Sequence, residues 1–297
     1  MVGLRSEGDD ALATWVPVRL IRGGRPVEGR DLVVRESGLR IWLDGRDLGR
    51  LQCSPLHLEE MVWGYVLSEG LVPGPGAVER VEVDAASGEA RIWSRPGPRP
   101  APQGASGGAV PPPGRLIEGP PPPGPRVSAG EVLKAMEALG RAAAVHRATG
   151  GTHCAGLARG PELLVVREDL SRWRAVDKVV GWWACGGGAG WAPGGGAGAP
   201  GAGGGSGARR AGAAAGAPGA GGPATPPAAA GVYLVASCRL SEAMVEKVAR
   251  VGLGMVASRA APTDRAVARA QELGLTLVGF ARGGRLTVYA GPEGLLA

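Results

Sequence analysis

Alternation of apolar and polar positions dominates the first hundred residues and predicts a strand-rich region. Strands are predicted at residues 32–35 and 39–43, with a return strand at residues 48–53. Asp44 and Gly45 lie between the last two and are typical of a tight hairpin turn, because glycine accepts positive φ at low cost. A second hairpin is predicted from residues 78–83 and 90–94.

One helix interrupts these strands. Ser54 is predicted as its N-cap and Pro55 as its first residue, where a missing N–H costs nothing. The apolar side chains then recur at helical spacing at Leu58, Met61, Val62, Tyr65 and Val66. Gly70 is predicted to end the helix.

Strands and helices alternate in the second half of the chain. Ser128 and Glu131 form a capping-box pattern that predicts a helix, and further helices are predicted from Ser241 and Thr263. Strands are predicted at residues 163–166, 232–236, 255–257, 276–280 and 286–289. This order predicts a layered α/β fold with a partly parallel sheet.

The composition divides the chain into domains and loops. Of 297 residues, 54 are glycine and 26 are proline, so part of the length is not expected to pack. We predict a strand-rich N-terminal domain at residues 1–94, a Pro/Gly-rich linker at 95–127 and an α/β domain at 128–297. Residues 186–230 contain only Arg209 and Arg210 as charges, and are predicted to be a disordered insertion.

The charge and cysteine patterns restrict the functional classes. The net charge of +6 suits an anionic ligand or acidic partner, and an ordinary solvated surface explains it equally well. The sequence contains no basic run, apolar span or signal-peptide pattern, so we expect a cytoplasmic protein with neither nucleic-acid nor membrane partners. The four cysteines form no C-x-x-C pair and are expected to be reduced: Cys53, Cys154, Cys185 and Cys238.

Two segments in the middle of the chain carry candidate binding residues. Gly150-Gly151-Thr152-His153 can bring backbone and imidazole close to a ligand, although a structural turn explains the same residues. Arg172, Arg174 and Lys178 can bind phosphates, and the alternative is a solvated helix face paired with acidic residues.

Two further candidates follow predicted strands. Arg239 lies between a strand and a helix N-terminus, which is where α/β sheets bind anions. The segment Phe280-Ala281-Arg282-Gly283-Gly284-Arg285 ends another strand in a Gly-Gly turn flanked by arginines. Simple N-caps and an exposed hairpin turn are the alternatives for these two segments.

Several blocks in one order resemble a known family. They are Ser54-Pro55, Leu67-Ser68-Glu69-Gly70, Gly150-Gly151-Thr152-His153-Cys154-Ala155, Ala175-Val176-Asp177-Lys178-Val179-Val180-Gly181, Ser237-Cys238-Arg239-Leu240-Ser241-Glu242-Ala243-Met244-Val245, Ala261-Pro262-Thr263 and Leu277-Val278-Gly279-Phe280-Ala281-Arg282. Together they resemble the formate dehydrogenase accessory sulfurtransferase family. The chain departs from that family's Arg-His-Asn-Ala pattern at Trp173 and Arg174.

The resemblance implies a cytidine-deaminase-like fold for the larger α/β domain, together with the small strand-rich domain. It implies binding of the bis-molybdopterin guanine dinucleotide form of the molybdenum cofactor as substrate, near the Phe280–Arg285 segment. The implied partners are a cysteine desulfurase, formate dehydrogenase and a second copy in a homodimer. Deaminase chemistry and a bound metal are not expected, because the zinc signature H-x-E with P-C-x-x-C does not occur.

The family's sulfur-carrying cysteine has no counterpart in this sequence. The matching loop is Gln103 to Val110, where Ala105 or Ser106 replaces the thiol, and neither can form a persulfide. Three hypotheses follow. The chain transfers sulfur from a cysteine desulfurase through a relocated thiol, with Cys238 best placed; it binds cofactor as a chaperone without sulfur transfer; or it is a degenerate copy with neither activity.

Overall fold

The structure is a computed structural model that describes residues 11–96, 124–187, 231–291, 293 and 295–296. Most of the linker at 95–127 and of the insertion at 186–230 lies outside the described residues, as does the loop from Gln103 to Val110. The described part is a mixed α/β structure, as expected from the alternation of strands and helices. None of the helices in these ranges is long and apolar enough to cross a membrane.

The N-terminal strands form a separate hairpin and a four-stranded sheet. The hairpin pairs β1 (Ala13–Arg22) with β2 (Arg25–Val34) around Gly23 and Gly24, both with positive φ. The sheet has the order β4-β3-β6-β5, with strands β3 (Ser37–Leu43), β4 (Arg46–Cys53), β5 (Val78–Asp84) and β6 (Glu89–Ser94). Both predicted hairpins of this sheet are confirmed. The prediction at residues 32–35 was incomplete, because it missed β1 and most of β2.

The predicted start of the first helix was wrong. Helix α1 (Leu58–Ser68) begins after His57, which has φ 57° and makes no side-chain cap hydrogen bond. Ser54 is buried and forms hydrogen bonds to Asp169 and Leu170 instead. Its N–H donates to Asp169 Oδ2 at 2.9 Å, and its Oγ accepts from the Leu170 N–H at 3.0 Å. The serine therefore fixes the loop before α1 to the second half of the chain. The predicted stop at Gly70 is confirmed by its φ of 67°.

A six-stranded sheet forms the centre of the second half, with the order β13-β12-β11-β10-β8-β9. Its strands are β8 (His153–Arg159), β9 (Glu162–Asp169), β10 (Val232–Ala236), β11 (Met255–Ser258), β12 (Thr276–Arg282) and β13 (Arg285–Ala290). β10, β11 and β12 run parallel, whereas β8, β9 and β13 are antiparallel to their neighbours. The short strands β7 (Val127–Ser128) and β14 (Leu295–Leu296) pair separately.

Helices cover both faces of this sheet. Helix α2 (Ala129–Ala142) packs on one face, and its predicted capping box between Ser128 and Glu131 is confirmed. The other face carries α4 (Arg172–Trp182), α5 (Glu242–Arg250) and α6 (Asp264–Leu273). The short helix α3 (Ala144–Thr149) precedes β8. Thr263 caps α6 as predicted, whereas Ser241 precedes α5 without a side-chain cap bond.

One hydrophobic core joins the four-stranded sheet to the helical layer. Leu39 and Ile41 of β3, Met61 of α1 and Val179 of α4 belong to the same buried cluster. α1 lies against α4, and two glycines allow their backbones to approach closely. The N-terminal sheet is therefore fixed to the six-stranded sheet through the α1–α4 contact.

Candidate functional site

Three parallel strands end at one edge of the six-stranded sheet, which we call the carboxyl edge. β10 ends at Ala236, β11 at Ser258 and β12 at Arg282, and the antiparallel strand β8 begins there at His153. Helices α5 and α6 start from this edge, so their free backbone N–H groups and positive dipole ends lie near it. Such an edge is the usual place for an anionic ligand in an α/β sheet.

Backbone hydrogen bonds hold the segments of the carboxyl edge side by side. The Arg259 N–H donates to the last carbonyl of β10 at 3.1 Å, and the Ser237 N–H donates to the Cys154 carbonyl at 2.9 Å. The Phe280 N–H donates to the Ala260 carbonyl at 3.2 Å. The loops after β10, β11 and β12 therefore form one continuous surface with the start of β8.

Five arginines lie along this edge without an ion-pair partner among the described residues. They are Arg172, Arg239, Arg259, Arg282 and Arg285. Arg172 is half-buried at the start of α4, and the other four are exposed. Unpaired guanidinium groups present planar sets of N–H donors that match phosphate oxygens. The edge therefore offers several independent contacts to a polyanion.

Arg259 is the member of this set that sequence reasoning missed. A signal for it exists, because the same pattern follows each parallel strand: Cys238-Arg239 after β10, Ser258-Arg259 after β11 and Ala281-Arg282 at the end of β12. The repetition has meaning only once β10, β11 and β12 are known to be adjacent and parallel. The Arg259 side chain extends towards α2. Its Nη1 lies 3.9 Å from the point that a Cβ at Gly140 of α2 would occupy.

His153 lies at the start of β8, half-buried, opposite Asp169 of β9. Burial lowers the pKa of His153, and the nearby Arg172 and His146 lower it further, whereas Asp169 acts in the opposite direction. The imidazole is therefore neutral at pH 7 and can donate or accept a hydrogen bond rather than act as a cation. Its proximity to Arg172 places it on the same surface as the arginines.

Lys178 lies in the interior rather than at the carboxyl edge. Its side chain is fully buried, and Nζ lies 2.7 Å from Asp169 Oδ2 and donates to the Ser54 carbonyl at 3.2 Å. A weaker contact joins it to the Glu168 carbonyl at 3.4 Å. The ammonium group is enclosed by protein oxygens, so we leave Lys178 out of the proposed ligand set. The expected pairing with an acidic residue occurs, but in the core and not on a solvated helix face.

Arg174 and Trp173, where the chain departs from the family pattern, face the helical layer. Arg174 is buried and contacts Asp177 at 2.9 Å as an ion pair without hydrogen-bond geometry, and its guanidinium lies 4.9 Å from the Tyr65 ring centre. The Trp173 ring lies 6.0 Å from the Lys247 ammonium. The solvated-face alternative is wrong for Arg174, and both residues serve packing between α1, α4 and α5.

All four thiols are poorly suited to nucleophilic attack. Cys53, Cys154 and Cys238 are buried, and Cys185 is partly buried. Burial raises the pKa of Cys53 and Cys238 to about 11, and that of Cys185 to about 12. Burial also raises the pKa of Cys154.

The segment from Phe280 to Arg285 forms the outer part of the carboxyl edge. Phe280 has φ 51°, which is unusual for a residue with a side chain, and its ring is half-exposed. The Arg282 guanidinium lies 5.7 Å from the ring centre. Gly283 and Gly284 complete the predicted turn between β12 and β13. Strained residues of this kind often lie at binding sites, which is consistent with a ligand-contacting role.

The described residues contain no group of three or more His, Cys, Asp and Glu side chains arranged to hold a metal ion. The carboxyl edge is thus built from cationic and aromatic side chains and from backbone donors. Its chemistry suits a large anionic ligand with ring systems.

Comparison with known proteins gives a consistent result. The sequence profile described as the FdhD/NarQ family matches residues 34–190 and 225–296. The chain is similar to the "Sulfur carrier protein FdhD" of Methanothermobacter thermautotrophicus, with 32% identity covering 89% of this chain and 91% of the relative. The protein of the same name from Listeria innocua is 28% identical, covering 93% and 96% of the two chains.

A solved structure shares the fold. It is described as a formate dehydrogenase accessory protein from Desulfotalea psychrophila, with a TM-score of 0.70 and 21% identity, covering 96% of this chain and all of that one. At 21% sequence identity, this similarity shows a shared fold and no more. The profile match extends over more than half of the chain, and therefore this chain belongs to the FdhD/NarQ family.

Proposed function

We propose that this chain is a cytoplasmic accessory protein for formate dehydrogenase that binds the guanine dinucleotide form of the molybdenum cofactor. The observation that carries the proposal is the row of five unpaired arginines along the carboxyl edge. The cofactor is the substrate or cargo here. Its pyrophosphate groups require several cationic or N–H donors, and its guanine and pterin rings require flat surfaces.

The roles of individual residues follow from their places. Arg239 and Arg259 follow adjacent parallel strands and are assigned to phosphate groups of the ligand, with the N-terminus of α5 contributing N–H donors next to Arg239. Arg282 and Arg285 flank the Gly283-Gly284 turn and are assigned to outer phosphates. Phe280 offers a half-exposed ring for stacking, and Ala281 contributes backbone only, because its side chain is buried. His153 is assigned a neutral hydrogen bond to the ligand.

The thiols favour cofactor binding without sulfur transfer. The loop from Gln103 to Val110 lacks a cysteine, and the described thiols are protonated at pH 7 because burial raises their pKa values. Sulfur transfer needs an accessible thiolate to accept a persulfide. We therefore place cofactor binding first, with delivery to formate dehydrogenase as the purpose.

Sulfur transfer from a cysteine desulfurase is the second candidate. It is favoured by the relatives, which carry the name sulfur carrier protein. Cys238 is the thiol at the carboxyl edge, and Arg172 partly offsets the effect of burial on its pKa. This route requires an opening movement that exposes Cys238, because its side chain is 4% exposed.

Nucleotide binding tests the first candidate. GDP serves as a probe of the guanine dinucleotide, with affinity measured by calorimetry on the full chain. Arg259→Glu is expected to weaken binding at least tenfold, since a hydrogen bond to a charged group contributes about 1.5–3 kcal/mol. The matched control is Arg80→Glu on the distant four-stranded sheet, where Arg80 is exposed and already paired with Glu82. Equal affinities in the two variants, or no GDP binding by the parent chain, would contradict the proposal.

A persulfide assay separates the two candidates. The full chain is incubated with a cysteine desulfurase and cysteine, and its mass is read before and after reduction. Binding of GDP without added sulfur supports the cofactor-binding function. Added sulfur that disappears in Cys238→Ala supports the carrier function.

A further inference from the structure

Glu168, near the end of β9, is a buried carboxylate without an ion-pair partner among the described residues. It is 9% exposed, and its two oxygens accept three hydrogen bonds. Oε1 accepts from the Val145 N–H at 3.1 Å, and Oε2 accepts from the His146 N–H at 2.6 Å and from the Thr152 hydroxyl at 2.7 Å. Hydrogen bonds to an ionised acceptor are shorter and stronger than neutral ones. The carboxylate therefore joins the start of α3 to the residue that precedes β8.

The segment Gly150-Gly151-Thr152-His153 connects α3 to β8, and we call it the glycine turn. His146 Nδ1 contacts the Thr152 carbonyl, while the Thr152 hydroxyl donates to Glu168. A Cβ added to Gly151 would lie 3.0 Å from Cγ1 of Val34 in β2, so the hairpin also encloses the turn. Both polar groups of Thr152 are thus bonded to side chains that lie outside the turn.

Fixing Thr152 also fixes the next residue, His153, at the carboxyl edge. On the other side of His153, the Cys154 N–H donates to Ser237 Oγ at 3.0 Å. The backbone is therefore held before and after His153, while its half-buried imidazole lies near Arg172. A side chain whose backbone is already fixed loses less conformational entropy when it contacts a ligand.

The source of the helix cap shows that the stability of α3 is not the whole explanation for this carboxylate. Ala143 is the N-cap residue of α3 and makes no side-chain cap hydrogen bond. A serine, threonine, aspartate or asparagine at that position would cap the helix locally. Glu168 supplies the cap from 23 positions beyond Val145 instead, and the oxygen that accepts from His146 also accepts from Thr152. A local cap could not hold the glycine turn, whereas Glu168 holds both.

We propose that Glu168 is a positioning residue, which holds the glycine turn so that His153 is presented to the anionic ligand of the carboxyl edge. This inference rests on the proposed cofactor-binding function, in which His153 donates or accepts a neutral hydrogen bond. Both Glu168 oxygens are occupied within the protein, so the residue acts through the turn and not by contact with the ligand.

Hydrogen exchange on the full chain without ligand tests whether Glu168 holds the turn. In Glu168→Gln, an NH₂ donor faces either the Val145 or the His146 N–H, whichever way the amide is oriented. Exchange in residues 144–152 should become at least tenfold faster, while exchange in β10 should not change. The matched control is Glu162→Gln, which changes an exposed acid at the start of the same strand and should leave exchange at the parent rate.

Thr152→Val provides a milder second variant in case Glu168→Gln does not fold. It removes only the hydroxyl, so Glu168 keeps its two bonds to the start of α3. Exchange in the glycine turn should become about threefold faster or more. Unchanged exchange in both variants would overturn the proposal.

GDP binding by calorimetry then tests the link to the ligand through a double-mutant cycle. His153→Ala should weaken GDP binding about threefold to tenfold, the loss of one hydrogen bond, and Glu168→Gln should weaken it by a similar factor. Because Glu168 acts through His153, the double variant should bind within about twofold of His153→Ala alone. In combination with Arg285→Ala, at the distant turn after β12, the loss caused by Glu168→Gln should multiply in full. A general loss of folded protein would not produce this selective difference.

Two binding results would overturn the proposal: GDP affinity unchanged in Glu168→Gln, or losses from Glu168→Gln and His153→Ala that multiply. A parent chain that binds no GDP gives a different result, because it contradicts the cofactor-binding function and with it the ligand role of His153. The exchange rates would then still decide whether Glu168 holds the turn. Failure of this inference and failure of the proposed function are therefore distinguishable.

Discussion

The close contact between α1 and α4 predicts that two glycines cannot be replaced by alanine. A Cβ at Gly64 would lie 1.7 Å from the Asp177 carbonyl oxygen, and one at Gly181 would lie 1.7 Å from the Glu60 carbonyl oxygen. Real Cβ atoms stay at least 3.0 Å from such atoms, so the helices must separate by about 1.3 Å. The obstructing atoms are backbone, which cannot rotate away.

The magnitude follows from two opposing effects. Alanine is favoured over glycine inside a helix by about 1 kcal/mol. Overpacking a core typically costs about 1–3 kcal/mol and more when backbone must move, and separating α1 from α4 also opens the shared core. We expect Gly181→Ala to lower the free energy of unfolding by about 2 kcal/mol or more. For a chain of this size that corresponds to a fall of roughly 4–8 °C in Tm.

Gly140 provides the matched control. It lies inside α2, and the nearest atom to an added Cβ is Arg259 Nη1 at 3.9 Å, which is ordinary contact. Gly140→Ala should therefore raise the free energy of unfolding by about 0.5–1 kcal/mol. Urea unfolding followed by circular dichroism measures both variants. If Gly181→Ala and Gly140→Ala shift stability in the same direction, the reasoning from the α1–α4 contact is refuted.

Four further predictions concern charge, thiols and the carboxyl edge. Lys178→Met should destabilise the fold by about 3–5 kcal/mol in urea unfolding, because Asp169 loses its buried partner. Cys53 and Cys238 should react slowly with a thiol reagent at pH 8 and quickly in denaturant; equal rates would contradict their burial. Since burial raises both pKa values to about 11, stability should be intact below about pH 9 and fall as pH rises towards 11. Arg259→Glu should also flatten the salt dependence of GDP binding, as measured by titration at several ionic strengths.

Local sequence signals predicted most secondary structure correctly. The Asp44-Gly45 turn, the Ser128–Glu131 capping box and the Gly283-Gly284 turn all form as expected. The prediction of Ser54 as a helix N-cap was wrong. A serine followed by a proline is compatible with a helix start and equally with a buried loop, and here it lies in a loop. Ser54 bonds to residues about 115 positions away, and no local pattern can show such a partner.

The candidate site was predictable only in part. Arg239, Arg282 and Arg285 follow strands and were found from that position, and the structure keeps them exposed and unpaired among the described residues. Lys178 was grouped with them because it lies in a basic segment of α4. The direction of the Lys178 side chain depends on which face of α4 packs against the sheet. In the structure Lys178 lies on the packed face, and its ammonium group contacts Asp169.

The sequence by itself determined the class of fold, the positions of most elements, the resemblance to a family and the absence of a cysteine from residues 103–110. These features follow from short-range patterns, because turn residues, helix caps and the spacing of apolar side chains each depend only on the local backbone. The tertiary structure decided which charges are available. It put Arg239 and Arg259 after adjacent strands at one sheet edge through parallel pairing of β10 and β11, and it enclosed Lys178, Cys53, Cys154 and Cys238 within the core. Exposure and charge pairing depend on residues far apart in the chain, and only the packed structure brings those residues together.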